Sequence, residues 1–154
     1  MNEVFKKRRS VRSFQKKEIE AEKLNEILQA IESAPSAGNL KAREVKIVQS
    51  GTMKEKLVQV AFGQNFISQA PVILVFFAVP SRSAVKYGQR GKDLYTLQDV
   101  TIAASFAWIQ AVLIGLSACW VGAFDEEEIK KILKVDKDWR PIVLMPLGYS
   151  NKNK

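Results

Sequence analysis

The sequence predicts one domain of three layers, an α+β or α/β sandwich with helices on both faces of a buried sheet. Three observations predict it. Val72-Ile73-Leu74-Val75-Phe76-Phe77-Ala78 is an unbroken apolar run of strand length, and such runs suit a strand covered on both sides. Leu24, Ile27, Leu28 and Ile31 recur at the i, i+3, i+4, i+7 spacing of one helix face. The stretch from Val100 to Leu116 is apolar all round, as suits a central or interface helix. Strand and helix signals alternate along the chain, with no repeat, low-complexity tract or Pro/Gly linker to divide residues 1–154.

A short helix is expected over Glu3 to Arg9, and a longer one from about Ala21 to Ala34. Pro35 ends the second, and Ser36-Ala37-Gly38-Asn39 reads as an ordered turn. Glu44 to Gln49 reads as a strand. Thr52 and Glu55 have capping-box spacing and open a helix to about Ala61. Pro71 introduces the buried strand, and Pro80 to Lys92 reads as a polar, glycine-containing loop. The helix from Val100 borders on the length of a membrane span. Thr101, Ser105, Gln110 and its many alanines argue for burial in protein instead, and Gly115 makes a natural stop. Ala118 to Val121 is a short strand. Asp125 caps a helix with Glu126, Glu127 and Glu128 in its first turn and Lys130, Lys131 and Lys134 toward its end, which matches the helix dipole. Ile142 to Leu147 is the last strand.

Composition narrows the chemistry. At 47% hydrophobic and 26% charged residues, the 154-residue chain has material for a packed core and a soluble surface. It contains no histidine and a single cysteine, Cys119. Histidine-dependent triads, histidine metal sites, thiolate zinc sites and Cys-x-x-Cys redox pairs are therefore excluded. No metal site is expected, nor any catalytic side chain acting as nucleophile. An enzyme with this composition points to cofactor chemistry. No disulfide asks for an oxidising compartment and no signal peptide is read at the N-terminus, so the cytoplasm is expected. The net charge is +8, and the first 17 residues carry seven basic side chains against Glu3 alone. Such a segment is either an anion site or a solvated face.

Three segments have the residues for binding. Arg8-Arg9-Ser10-Val11-Arg12 places guanidinium forks on both sides of a hydroxyl, which suits a phosphate as well as it suits a solvated basic arm. Pro35-Ser36-Ala37-Gly38-Asn39 offers backbone N–H groups, a hydroxyl and an amide for the edge of a planar heterocycle, or simply ends a helix. Cys119-Trp120-Val121-Gly122-Ala123-Phe124 offers a backbone that a flat ligand can approach at Gly122, or a strand end packed in the core.

Together and in this order the three segments resemble the nitroreductase family of FMN-dependent flavoproteins. Gly63-Gln64-Asn65-Phe66-Ile67-Ser68-Gln69-Ala70-Pro71, Leu97-Gln98-Asp99-Val100-Thr101-Ile102-Ala103-Ala104 and Leu147-Gly148-Tyr149 extend the likeness over nearly the whole chain. The resemblance implies a three-layer α/β/α sandwich about a central mixed sheet, dimeric, with FMN at the subunit interface. On it, Arg8, Arg9, Ser10 and Arg12 hold the phosphate and ribityl side. Pro35, Ser36, Ala37 and Asn39 reach the flavin from the other subunit. Gln64 touches the ring edge, and the Val121-Gly122 backbone lines the ring face. Hydride then passes from NADH or NADPH through FMN to a nitroaromatic, quinone or flavin acceptor. Members often continue past Gly-Tyr with a basic tail. Here Lys152 or Lys154 takes that part, or the phosphate rests on the N-terminal arginines alone.

Two other functions are open to the same residues. One is a flavin-binding protein without nitroreductase activity. The other is a basic nucleic-acid-binding module, although Phe5 and Phe14 are the only aromatics among those basic residues, where single-strand binders interleave many. A membrane partner is not expected, because the basic arm has no continuous apolar face.

Overall fold

The computed structural model describes residues 1–151. Four strands form the sheet: β1 (Arg43–Val48), β2 (Val72–Ala78), β3 (Ser117–Ala118) and β4 (Arg140–Gly148), in the order β1-β2-β4-β3. The helices are α1 (Glu3–Lys7), α2 (Ala21–Ser33), α3 (Gly51–Val60), α4 (Phe66–Gln69), α5 (Pro80–Arg90), α6 (Thr96–Leu113) and α7 (Glu126–Leu133). All seven residues of β2 are buried, as its apolar run requires. Alternate side chains supply two cores. Val72, Leu74, Phe76 and Ala78 meet α2 and α6 through Ile27, Ile31, Val100, Ala104 and Ala107. Ile73, Val75 and Phe77 point the other way, against Leu57 and Val58 of α3, Ile67 of α4 and Ile129 of α7. Three layers result.

The sheet is antiparallel rather than mixed, for β1–β2, β2–β4 and β3–β4 all pair in opposite directions. β2 and β3 run the same way but do not pair, because β4 lies between them in the opposite direction. Among the described residues the parallel pairing is one isolated bridge, Ser10 to Ala118.

The segment from Pro80 is not a loop but α5, followed by a π-helical turn over Gly91–Tyr95. Pro80 stands in the first turn, where its missing N–H costs nothing. The helix lies on the surface with Val85 exposed, so it has no apolar face to read. Polar contacts hold it instead. Asp138 accepts from the Ser81 amide (3.1 Å) and hydroxyl (2.5 Å), and Arg82 donates to Glu44 (2.6 Å) and to the Lys41 carbonyl (2.7 Å). The Thr52–Glu55 capping box does not form. α3 starts two residues earlier, with Ser50 at its cap and no side-chain bond there, so Thr52 already lies in the first turn. Asp125 does cap α7, accepting from the Glu128 amide at 3.0 Å.

Residues 10–15 lie between β3 and the chain's end. Val11 donates to the Ala118 carbonyl (3.1 Å), Gln15 to that of Tyr149 (2.9 Å), and Asn151 to that of Ser13 (3.1 Å). Gly148 is needed here, since a Cβ would fall 2.7 Å from the Pro71 ring. The Tyr149 hydroxyl donates to Glu20 (2.5 Å) and accepts from Lys23 (2.9 Å), which clamps the same region to α2. Lys152 and Lys154, expected to assist at the phosphate, lie outside the described residues.

Candidate functional site

The pinned arm sets its cations around a groove of about 750 Å³, lined by Lys7, Arg9, Ser10, Arg12, Ser117 and Asn151 among others; none of the described residues lining it carries a carboxylate. Ser10 and Arg12 are exposed. Arg9 folds its guanidinium back onto the Lys6 and Arg8 carbonyls (2.7 and 3.0 Å). Arg8 turns away and lies 4.8 Å over the Trp108 ring, where a cation gains from the aromatic face. Three of the four N-terminal candidates thus share one groove, and Arg8 forms part of its support.

The strand end does not line this groove but connects to it through side chains. Val121 exchanges both backbone hydrogen bonds with Leu144 (2.9 and 3.0 Å), and the chain then leaves the sheet at Gly122 and Ala123, both exposed. Among the described residues no hydrogen bond engages the Gly122 or Ala123 amides. A Cβ at Gly122 would meet only Trp120 Nε1, at 3.8 Å, so the chain's own packing does not ask for glycine there. The Gln64 amide is fixed close by, donating to the Ala61 (2.9 Å) and Ala123 (3.1 Å) carbonyls. Arg12 reaches over Phe66 (5.8 Å), two residues after Gln64, which ties groove and strand end together. Cys119 is buried. Burial pushes its thiol above the usual range against a smaller opposing pull from Arg12, so it is a poor nucleophile.

The Pro35–Asn39 turn is elsewhere. Pro35, Ser36 and Ala37 line a different groove, of about 620 Å³, with Tyr95, Leu97, Gln98 and Ile102 of the α6 side; the two grooves share no residue. Asn39 is exposed at the turn with φ 56°. Lys86 and Tyr87 of α5 wall the turn from outside: a Cβ at Gly38 would lie 2.6 Å from the Tyr87 hydroxyl.

Sequence reasoning missed the residues that hold this turn. Asp99 accepts from the Ala37 and Ala42 amides, and Arg43 donates to the Ile31 and Ala34 carbonyls. A signal was present in Asp99, a carboxylate opening an apolar helix, for such a group must find partners.

No helix among the described residues is long and apolar enough to cross a membrane. α6 keeps Ala103, Ala104, Ala107 and Ala111 against the sheet. It turns a second apolar row outward, Ile102, Phe106, Ile109 and Leu113, with Phe106 and Leu113 exposed.

Comparison with known proteins gives these features a family. The model of the nitroreductase family matches residues 5–68 and 59–149. An FMN reductase [NAD(P)H] of Bacillus subtilis is 30% identical over 169 residues, covering 97% of this chain; the chain spans 66% of that protein. An FMN-dependent nitroreductase of Clostridium difficile R20291 superposes with a TM-score of 0.82 at 30% identity, over 98% of this chain and 88% of the other. A nitroreductase family protein of Clostridium novyi NT does so with a TM-score of 0.89 at 28% identity, over 97% and 84%. With a family model covering nearly its whole length, the chain belongs to the nitroreductase family.

Proposed function

We propose that this chain is an NAD(P)H-dependent oxidoreductase that binds FMN and passes hydride from NADH or NADPH to a nitroaromatic, quinone or free flavin. One observation carries the reading. A cationic groove, lined by no carboxylate among the described residues, is linked through Arg12, Phe66 and Gln64 to a strand end whose Gly122 and Ala123 amides are unpaired among the described residues, while Pro35, Ser36 and Ala37 line a separate groove on the same chain. The groove suits a phosphate, and the bare backbone suits a flat ring.

The residues present fit FMN. Ser10 and Arg12, with Arg9 and Lys7 beside them, would hold the phosphate by charge-assisted hydrogen bonds. Arg8, stacked on Trp108, would support them through its field. The Val121–Gly122 backbone would lie against the ring, the Gly122 and Ala123 amides would donate to it, and Gln64 would fix that edge through the Ala123 carbonyl. When bound, FMN supplies the hydride chemistry, and the protein's part is binding, orientation and electrostatics. That division agrees with a chain whose lone thiol is buried. The reading includes cytoplasmic residence, with which a lone free thiol is compatible.

Pro35, Ser36, Ala37 and Asn39 would complete the site of a second copy, making the working unit a homodimer with FMN at its interface. The outward apolar row of α6 supports this. It borders a largely apolar groove between α2 and α6, lined also by Phe5, and obligate interfaces bury such surfaces.

The test is the visible absorbance of the purified protein with and without FMN, followed by anaerobic NADH or NADPH, with sedimentation to count subunits. A yellow dimer that bleaches supports the proposal. A yellow protein that does not bleach is a flavin binder without the activity, and a protein that takes up no FMN overturns the reading.

A further inference from the structure

The Pro35–Asn39 turn hangs between two buried charges of opposite sign. Asp99, on the first turn of α6, is 2% exposed; its Oδ1 accepts from the Ala37 amide (2.9 Å) and its Oδ2 from the Ala42 amide (3.2 Å). Arg43, at the start of β1, is 6% exposed and donates to the Ile31 (2.8 Å) and Ala34 (3.0 Å) carbonyls at the end of α2. Each charge sits at the helix end whose dipole favours it. Other elements close the frame. Thr96 donates its hydroxyl to the Ala42 carbonyl (2.9 Å), the Lys41 amide donates to Ser36 Oγ (2.9 Å), and Arg82 donates to the Lys41 and Arg43 carbonyls.

Inside this frame Asn39 and Lys41 both have left-handed backbone, at φ 56° and 47°. Side-chain-bearing residues hold that conformation only where their surroundings over-determine it, and such strain collects where a loop is prepared for a ligand. A connection that merely joined α2 to β1 would need neither the strain nor two buried charges, which are costly to desolvate.

We infer that Asp99, at the back of the groove the turn lines, and Arg43 are positioning residues that set the Pro35–Asn39 turn for the flavin ring. This rests on the flavin reading above. The effect belongs to the ring and not to the phosphate, which the arm would hold. FMN and riboflavin, which lacks the phosphate, therefore separate the two roles.

The experiment titrates the full chain with FMN and, separately, with riboflavin, following flavin fluorescence and the visible band. Asp99→Asn keeps size but sets an amide N–H₂ against a backbone N–H. It is expected to weaken both flavins by one common factor, about tenfold or more for the lost charged hydrogen bonds, and to shift the visible band of the bound flavin. Arg12→Ala is expected to weaken FMN alone. An Asp99→Asn protein with wild-type circular dichroism and unchanged riboflavin affinity overturns the inference, as does a loss confined to FMN. Should Asp99→Asn not fold, Thr96→Val carries the test, with both affinities expected to fall about threefold and unchanged values overturning it. Wild-type protein that binds neither flavin overturns the functional reading itself, and the inference with it.

Discussion

Gly122→Ala separates the needs of the fold from those of the ligand. The added Cβ meets only Trp120 Nε1 at 3.8 Å, an ordinary contact, and Gly122 is not among the glycines with positive φ. The folded chain therefore accepts alanine without strain. The unfolded chain loses freedom, which stabilises the protein by about 0.4–1 kcal/mol. For a domain of this size, 1 kcal/mol raises Tm by roughly 2–4 °C. FMN affinity should move the other way. A ring lying on the Gly122 peptide needs atoms at about 3.5–4.0 Å, and a gap opened by 0.5–1 Å forfeits roughly a quarter to a half of each contact. With many ring atoms on that face, the expected loss is on the order of tenfold in Kd, or about 1.4 kcal/mol. Thermal melts without FMN and a fluorescence titration with it read the two effects. A lower Tm would show that the fold requires glycine, and an unchanged Kd would show that no ring lies there.

The remaining predictions concern single groups. Arg12→Ala should lose a charge-assisted phosphate contact of about 1.5–3 kcal/mol, so its Kd for FMN rises tenfold or more in the same titration. Leu74→Ala opens a cavity between β2 and the α2–α6 layer and should cost about 2–5 kcal/mol in urea unfolding. Asp125→Ala removes the α7 cap and should cost about 1 kcal/mol by the same measurement. Cys119 gives a pH effect. Its thiol is raised by burial, so the folded state keeps the proton longer than the unfolded chain. Its contribution is fully present below the unfolded value, near pH 8.5, and is lost as pH rises through the folded one. Wild-type stability should thus fall faster than that of Cys119→Ala above about pH 8.5; parallel slopes would refute the assignment.

Where an element's partners are apolar, the sequence declared it. β2 was legible to the residue because all seven of its side chains enter a core, and α2 because one of its faces does. α5 was illegible for the opposite reason. Its anchors, Asp138 and Glu44, lie far from it in sequence and leave no periodicity within it. α4 buries Ile67 in the core, but its four residues are too few to show a period. The site divides along the same line. Ser10, Arg12 and Gly122 could be picked out because cations and bare backbone mark the sequence locally. Asp99 and Arg43 could not be assigned, since their partners are backbone groups that only the fold brings near. The separation of the two grooves was likewise beyond any reading of order alone.

The arm is also where local chemistry runs against stability. Lys7, Arg9 and Arg12 share a groove that no carboxylate of the described residues lines, although the chain has 16 acidic residues to draw on. Elsewhere this surface pairs its charges readily, as in Arg140 with Glu126 and Lys131 with Glu128. Around the groove the cations turn to neutral partners instead: Arg8 to Trp108, Arg9 to backbone carbonyls, Arg12 to Phe66. These contacts reduce repulsion without cancelling charge. Cations gathered where the fold does not need them mark that groove as functional. The anion that enters it supplies the missing negative charge, so binding there and stabilisation of the arm are one event. On this account the N-terminal arm carries cations for the ligand, while its backbone pairing with Ala118 and Tyr149 keeps them in place before the ligand arrives.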